Sequence, residues 1–484
     1  MMNPGNEVFE RHCHWIGGTW TPPSRPGELL PVVNPATEEE IGRVPAGDAM
    51  DVGRAVDAAS QALPAWRDTP VEDRLTLLER FCDVLDDNRA ELADIITAEV
   101  GAPVSISGPM HVGLTSEILR AFVEIGREFD FVVPVGGSTL IHEPVGVAGC
   151  ITPWNLPLIL IAQKLGAAVV SGCTTVLKPS ELTPFSALRL AEYMTEAGYP
   201  PGVFNVVTGD GPAAGEALVS HPMVRKVSFT GSTRAGRRVA ALAAESVKRV
   251  SLELGGKSAN LVLPDADLER AVVTGSHQAC FNAGQSCIAW SRLIVPADRL
   301  ADATEIAARA IGSMKVGDPT DPTTDVGPLV SAEAADRVRG YIAKGVGEGA
   351  HLALGGSGRP SGLPRGFYVE PTVLTNVQPD MIVAQEEIFG PVLCVIPYRT
   401  EEEAIAIANS TPYGLHGAVW SQDEDRAMAV ARRLETGMVN INGYGFDPMA
   451  PFGGYKQSGV GRELGTAGLQ EFLEVKAVQR FQQS

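Results

Sequence analysis

Cys287 closes the run Phe281-Asn282-Ala283-Gly284-Gln285-Ser286-Cys287, where a helical segment ends, passes through a glycine and turns ahead of the strand-like Leu293-Ile294-Val295. A thiol at such a turn lies beside backbone N–H groups that no helix or sheet uses. Those groups can lower the thiol's pKa and can also receive an oxyanion, so the run is expected to present a nucleophile for acyl chemistry. A single cysteine is more often a small buried hydrophobe, and the chemistry needs other residues beside it.

Two such residues stand out. Glu253, in Leu252-Glu253-Leu254-Gly255-Gly256-Lys257, is a carboxylate between leucines, a setting that raises its pKa toward use as a general base. Asn155, in Pro153-Trp154-Asn155-Leu156-Pro157, sits on backbone stiffened by two prolines, so its amide can donate to a developing oxyanion with little reorganisation. Three further runs suit a nucleotide. Lys178-Pro179-Ser180-Glu181 ends a strand, and a Lys with a Glu there can grip ribose hydroxyls while the carboxylate repels a 2′-phosphate. Phe229-Thr230-Gly231-Ser232 joins a strand to a helix and offers N–H groups to a phosphate. Gly209-Asp210-Gly211, followed by Gly215, is an incomplete glycine fingerprint.

The elements that carry these runs alternate. Strand candidates at Val145–Ile151, Thr174–Leu177, Val203–Val207, Lys226–Phe229 and Arg249–Leu252 are separated by helical runs at 158–170, 184–197, 213–220 and 234–245. That pattern predicts a parallel sheet with helices on both faces, whose ligand lies beyond the carboxyl ends of the strands. A dinucleotide is the expected ligand. Residues 51–100 show helical spacing through Leu75, Leu77, Leu78, Phe81, Val84 and Leu85. Residues 129–141 read as a hairpin turning at Gly136-Gly137. A second α/β region holds strand candidates near 259–263, 293–295, 368–374, 392–397, 417–420 and 438–441, with a surface loop over the Gly/Pro-rich stretch 355–366. The chain returns to extended form at Val475–Phe481, a tail strand of the kind that pairs with another subunit.

Bulk composition narrows the classes. At 484 residues, two or more domains are expected. The 58 acidic against 39 basic residues, net −19, argue against a nucleic acid or an anionic membrane as partner. Seven cysteines, at 13, 82, 150, 173, 280, 287 and 394, are odd in number and include no Cys-x-x-Cys pair, which points to a reducing compartment and no zinc site. His12 and His14 flank Cys13 without further ligands, so no metal is expected. With no basic-then-apolar leader and no apolar run near the ~20 residues of a membrane span, a cytoplasmic location is expected.

Taken together, the runs resemble the NAD(P)-dependent, non-phosphorylating aldehyde dehydrogenase superfamily, from about residue 14 to 480. They include Glu387-Ile388-Phe389-Gly390-Pro391 and Pro451-Phe452-Gly453-Gly454-Tyr455-Lys456 as well as those above. The resemblance implies a Rossmann-type NAD-binding domain (1–127 and 144–254), an α/β catalytic domain (255–455) and a small β oligomerisation element (128–143 and 456–484). Cys287 then looks like the nucleophile, with Asn155 and the Cys287 N–H as oxyanion hole. Glu253 would activate the water that hydrolyses a thioester. Cofactor contacts would come from Ile151, Thr152, Pro153, Trp154, Lys178, Ser180, Glu181, Gly211, Phe229, Gly231, Ser232, Leu254, Glu387 and Phe389. The substrate wall would be Leu156, Ile159, Leu160, Gln163, Phe281, Ser286, Ile288 and Phe452. That wall has no Lys or Arg to receive a carboxylate, which favours an apolar aliphatic, aromatic or terpenoid aldehyde. Phe446, Asp447 and Met449 lie in a segment of variable length and are left without a role.

NAD is favoured over NADP through Glu181, and a homodimer or tetramer is expected to form through the hairpin and tail. Two alternatives remain. A coenzyme A-acylating relative would generally lack the glutamate at 253. A cysteine thioesterase or esterase would leave Lys178-Pro179-Ser180-Glu181 and the five-strand alternation unexplained.

Overall fold

The computed structural model describes residues 11–443 and 445–480. The first alternation folds as five parallel strands: β1 (Val147–Ile151), β2 (Thr174–Lys178), β3 (Phe204–Val206), β4 (Val224–Thr230) and β5 (Arg249–Glu253). Their order across the sheet is β3-β2-β1-β4-β5, with every neighbouring pair parallel. The order reverses between β1 and β4, and that switch point opens a crevice at the strands' carboxyl ends. Short strands extend both edges: His14–Ile16 runs antiparallel to β3, and Gly459–Val460 antiparallel to β5.

The helix after β1, Pro157–Ser171, begins with Pro at its first turn, where no N–H is missed, and stops at Gly172 in the left-handed region (φ 88°). Every one of its residues is buried, because it is covered on its outer side by the helix Leu114–Glu128. The helical stretch expected over 51–100 is three helices, Ala49–Asp68, Val71–Asp87 and Arg89–Val100. Pro70 and Asn88 mark the breaks, where the backbone leaves the α region or the ladder restarts.

The second half builds a seven-stranded sheet from β6 (Ala259–Val262), β7 (Arg292–Pro296), β8 (His351–Leu354), β9 (Thr372–Thr375), β10 (Val392–Tyr398), β11 (His416–Trp420) and β12 (Met438–Ile441). The order is β8-β9-β10-β7-β6-β11-β12, parallel except for the β8 edge. That antiparallel edge strand was not among the expected strands; its short run His351-Leu352-Ala353-Leu354 is exposed along most of its length.

The two sheets meet in opposite senses. Lys178, Gly231 and Glu253 sit at or just after the carboxyl ends of β2, β4 and β5, whereas Lys257, Cys287 and Glu387 sit just before the amino ends of β6, β7 and β10.

The hairpin Val132–Val135 and Ser138–Pro144 turns at Gly136-Gly137 as expected. The tail strand is Leu473–Gln479, and it pairs with Ser138–Pro144 of its own chain, from Leu473 opposite Pro144 to Gln479 opposite Ser138. Phe481 lies outside the described residues. Among the described residues no helix is long and apolar enough to cross a membrane.

Deleting residues from Glu474 onward leaves only Leu473 of the tail's register on Ser138–Pro144. The resulting two-stranded ribbon is marginal by itself, so the melting temperature should fall by about 5 °C or more. A thermal melt unchanged from the parent would contradict this.

Candidate active site

After the helix Leu268–Cys280 the backbone takes three left-handed residues in succession, Asn282 (φ 51°), Ala283 (φ 57°) and Gly284 (φ 71°), before reaching Cys287. Non-glycine residues in this region are strained, and they persist where surroundings over-determine them. Here the surroundings do so. Asn155 Nδ2 donates to the Gln285 carbonyl (3.1 Å), Asn282 Nδ2 donates to the Asn155 carbonyl (2.9 Å), and Val330 N donates to Gln285 Oε1 (2.9 Å). A Cβ at Gly284 would overlap the carbonyl of Gly390, and one at Gly256 would overlap the carbonyl of Cys287. The loop is thus clamped between the turn after β1, the turn before β6 and the segment before β10.

This geometry ties Asn155 to the Cys287 loop, although the polar run Asn282 and Gln285 drew no role in the sequence. The thiol departs from expectation in one respect. Burial first, then the nearby Glu387 and Glu253 carboxylates, push its pKa up; hydrogen bonds from the Cys287 and Ile288 N–H groups pull it down and lose. The turn supplies the donors that were expected, yet desolvation decides the protonation state.

Glu253 is the last residue of β5 and 2% exposed, and its carboxylate lies over Gly453. Neither oxygen finds a hydrogen-bond partner among the described residues. Desolvation and the Glu463 carboxylate hold its pKa well above the ordinary range, against the pull of Lys164 and Arg462. Behind it lies a buried network that the sequence reading missed. Lys164 Nζ donates to Thr230 Oγ1 (2.6 Å) and pairs with Glu463, which also accepts from Ser228 Oγ (2.9 Å). A lone lysine in the apolar helix 157–171 was the available signal; Glu463, some three hundred residues away, had none.

Around the switch point, Trp154 follows β1 and meets the ring of Phe389 edge-on, 5.4 Å between centroids. Lys178 is buried at the end of β2 with its Nζ 3.4 Å from Glu181 Oε2, and desolvation lowers its pKa while Glu181 offsets part of the shift. Ser180 is buried and accepts from Leu182 N, leaving Glu181 half-exposed in front of it. Gly211 opens the turn after β3. Ser232 caps the helix Thr233–Ala244 by accepting from Ala235 N (3.2 Å), so its hydroxyl hydrogen and the first-turn N–H groups face outward. Phe229 and Leu254 are buried beneath, and a Cβ at Gly231 would strike the Phe229 ring at 2.6 Å. Ile151 is buried at the end of β1, and the hydroxyl of Thr152 beside it is buried without a partner among the described residues. Glu387 Oε1 accepts from Gly256 N (3.0 Å), and desolvation pushes its carboxyl up to about 7.

Of the expected substrate wall, Leu156, Ile159, Ile288 and Phe452 join Cys287 in one apolar cluster, together with Met438 and Phe446. Leu160 and Gln163 are buried on the same helix but stand outside the packed clusters; Ser286 is buried beside Cys287, and Phe281 is half-buried at the start of the loop. No group of three or more His, Cys, Asp or Glu among the described residues is arranged to hold a metal, and His14 instead faces Asp51 at 3.3 Å.

Residues 20–478 match the model of the aldehyde dehydrogenase family. A 3-succinoylsemialdehyde-pyridine dehydrogenase from a Pseudomonas species is 48% identical over 471 residues, which cover 97% of this chain and 98% of that protein. Among solved structures, a mutant aldehyde dehydrogenase C from Pseudomonas syringae in complex with NAD+ and octanal is 46% identical. It superposes with a TM-score of 0.96 over 99% of this chain and 98% of its own. A Mycobacterium tuberculosis aldehyde dehydrogenase complexed with NAD+ is 42% identical, with a TM-score of 0.95 over 97% of this chain and 98% of its own. The chain belongs to the aldehyde dehydrogenase family and is an enzyme that oxidises aldehydes.

Proposed function

We propose that the chain oxidises apolar aliphatic, aromatic or terpenoid aldehydes to carboxylic acids with NAD, using Cys287, Glu253 and Asn155 as its catalytic residues. The observation that carries the reading is geometric: Asn155 bonds the loop two residues before Cys287, and Glu253 is buried at the end of β5 with neither carboxylate oxygen partnered among the described residues. The relative from Pseudomonas syringae holds both NAD+ and octanal, which supports the cofactor and an unbranched apolar substrate.

The residues at the switch point fit a dinucleotide. Lys178 and Glu181 would hold the hydroxyls of the adenosine ribose, Ser232 and its helix N-terminus the pyrophosphate, and Glu387 with Phe389 the second ribose. The buried, unpartnered Thr152 hydroxyl adds a polar group to that cleft. NAD, when bound, supplies the hydride acceptor.

The work of the chain's own residues follows from their surroundings. Sγ of Cys287 attacks the carbonyl carbon, and because its pKa is raised, the thiol proton passes to water as the S–C bond forms and the C=O π bond opens onto oxygen. Asn155 Nδ2 and the Cys287 N–H donate to the oxygen as it becomes an oxyanion. Once the thiohemiacetal has lost its hydride, a thioester remains on Cys287. Ionised Glu253 takes a proton from water, the hydroxide adds to the thioester carbon, and the carboxylic acid leaves as the thiol re-forms. The domain division follows the same reading: most cofactor contacts from 1–127 and 144–254, the nucleophile together with Glu387 and Phe389 from 255–455, and assembly through 128–143 and 456–484. The enzyme works in the cytoplasm, where its seven free cysteines stay reduced.

Three outcomes check this. Glu253→Gln should give a burst of NADH equal to the active sites and then turnover about 100-fold or more below the parent. In the parent, deacylation should speed up as pH rises through the raised pKa of Glu253, since only the ionised form accepts the proton; the variant should lose that rise. Disappearance of the burst itself would mean that Glu253 acts earlier, on Cys287.

Glu181→Ser should raise the kcat/KM ratio of NADP to NAD about tenfold or more, because a carboxylate no longer opposes the 2′-phosphate. An unchanged ratio would remove Glu181 from the ribose contact.

The three-stranded sheet has two open edges, and Val132, Val135 and Val475 on it are 60%, 50% and 56% exposed. Closed symmetric assembly covers such edges, so light scattering at micromolar concentration should read a dimer or tetramer. A monomer would refute it.

A further inference from the structure

Glu99 is a carboxylate in an adverse place. It stands in the last turn of the helix Arg89–Val100, at the negative end of that helix's own dipole, and it is fully buried. No cation pairs with it among the described residues. Its partners are Phe185 N, which donates to Oε2 (2.8 Å), Ser186 N, which donates to Oε1 (3.2 Å), and Ser186 Oγ, which also donates to Oε1. Burial pushes the carboxyl up to about 7, although all three bonds pull the other way. A group that costs its own helix stability and resists ionisation calls for an explanation.

The donors supply one. They belong to the first turn of the helix Phe185–Glu196, which follows Pro184, a residue with no side-chain acceptor to offer that turn. A helix start leaves N–H groups without intrahelical partners, and when it is buried they need acceptors from elsewhere. Glu99 provides them from a different helix. The same helix start is the far end of the turn that carries Ser180 and Glu181. At the near end, Lys178 is held in the ladder between β1 and β2. Between the two, Leu182 N donates to Ser180 Oγ (3.2 Å), Thr183 N to the Ser180 carbonyl (3.3 Å) and Thr183 Oγ1 to the Trp154 carbonyl (3.4 Å). The turn is therefore anchored by the sheet on one side and by Glu99 on the other.

We infer that Glu99 is a positioning residue for the cofactor: by capping the helix Phe185–Glu196 from outside, it fixes the turn that carries Ser180 and Glu181 and so sets the affinity for the adenosine half of NAD. The inference deepens the proposed ribose contact of Lys178 and Glu181 and rests on it. A polar residue within the helix start would satisfy the same N–H groups locally. A carboxylate borrowed from the helix Arg89–Val100 does more, because it ties the turn to a second element. Without it, two buried N–H groups lose their acceptor, and the helix start relaxes toward other partners and takes the ribose-binding turn with it.

The test is titration calorimetry with NAD and with AMP, which carries only the adenosine ribose, alongside steady-state kinetics with octanal. Glu99→Ala should raise the Kd for both nucleotides by the same factor, about fivefold or more, and raise the KM for NAD with it. Its kcat and its KM for octanal should stay within about twofold of the parent. Glu99→Gln, which keeps one acceptor oxygen, should fall between the two, and it carries the test if Glu99→Ala does not fold. A merely structural residue would lower the melting temperature and leave the Kd of the folded protein unchanged; that result overturns the inference. Glu181→Ser separates this from the reading beneath it. If Glu181→Ser binds AMP as the parent does, the ribose contact falls and this inference with it; if Glu181→Ser weakens AMP and the Glu99 variants do not, this inference alone falls.

Discussion

Desolvation of one seam governs this molecule. The Cys287 thiol and the carboxyls of Glu253 and Glu387 lie where two sheets abut, and removing them from water favours their neutral forms. The buried pairing of Lys164 with Glu463, and the cradle that Gly256 N gives Glu387, offset part of that cost. The resting site is short of charge. A nucleophile and a base held neutral by burial are reactive only when proton transfer accompanies bond formation, which is why the raised pKa values and the acyl chemistry belong to one account.

The position of the seam follows from strand polarity. Crossovers of one hand place the carboxyl ends of β1, β2, β4 and β5 on one edge of the first sheet, and the turns before β6, β7 and β10 face them from the second. Side chains from seven separate segments can then converge without any long loop. The left-handed run Asn282–Gly284 is the strained piece of this arrangement, and it is held by Asn155, Val330 and the close approach of Gly390.

Much of this could be read from the sequence because the signals were local. Alternating apolar runs fixed β1 to β5 to within a residue or two, and the motifs around Asn155, Lys178, Glu253 and Cys287 announced polar residues at strand ends. The features that escaped were of three kinds. The strand β8 is only four residues long and mostly exposed, so its apolar residues mark no buried face. The partnership of Lys164 with Glu463 joins residues far apart in the chain, so only the fold reveals it. The direction of the Cys287 shift was missed because the N–H donors are visible in a turn motif, whereas the two opposing carboxylates and the depth of burial are not. The tail likewise read as a strand in need of a partner, and its first partner is the hairpin of its own chain.

The central claim is that the acyl group is carried on Cys287, and the most direct measurement is the mass of the acid-quenched enzyme during octanal turnover with NAD, followed by peptide mapping. The account predicts a hydroxylamine-sensitive octanoyl adduct confined to the peptide that contains Cys287. NADH formation with no adduct on that peptide in the slowly deacylating Glu253→Gln variant, or an adduct on another of the seven cysteines, would contradict it.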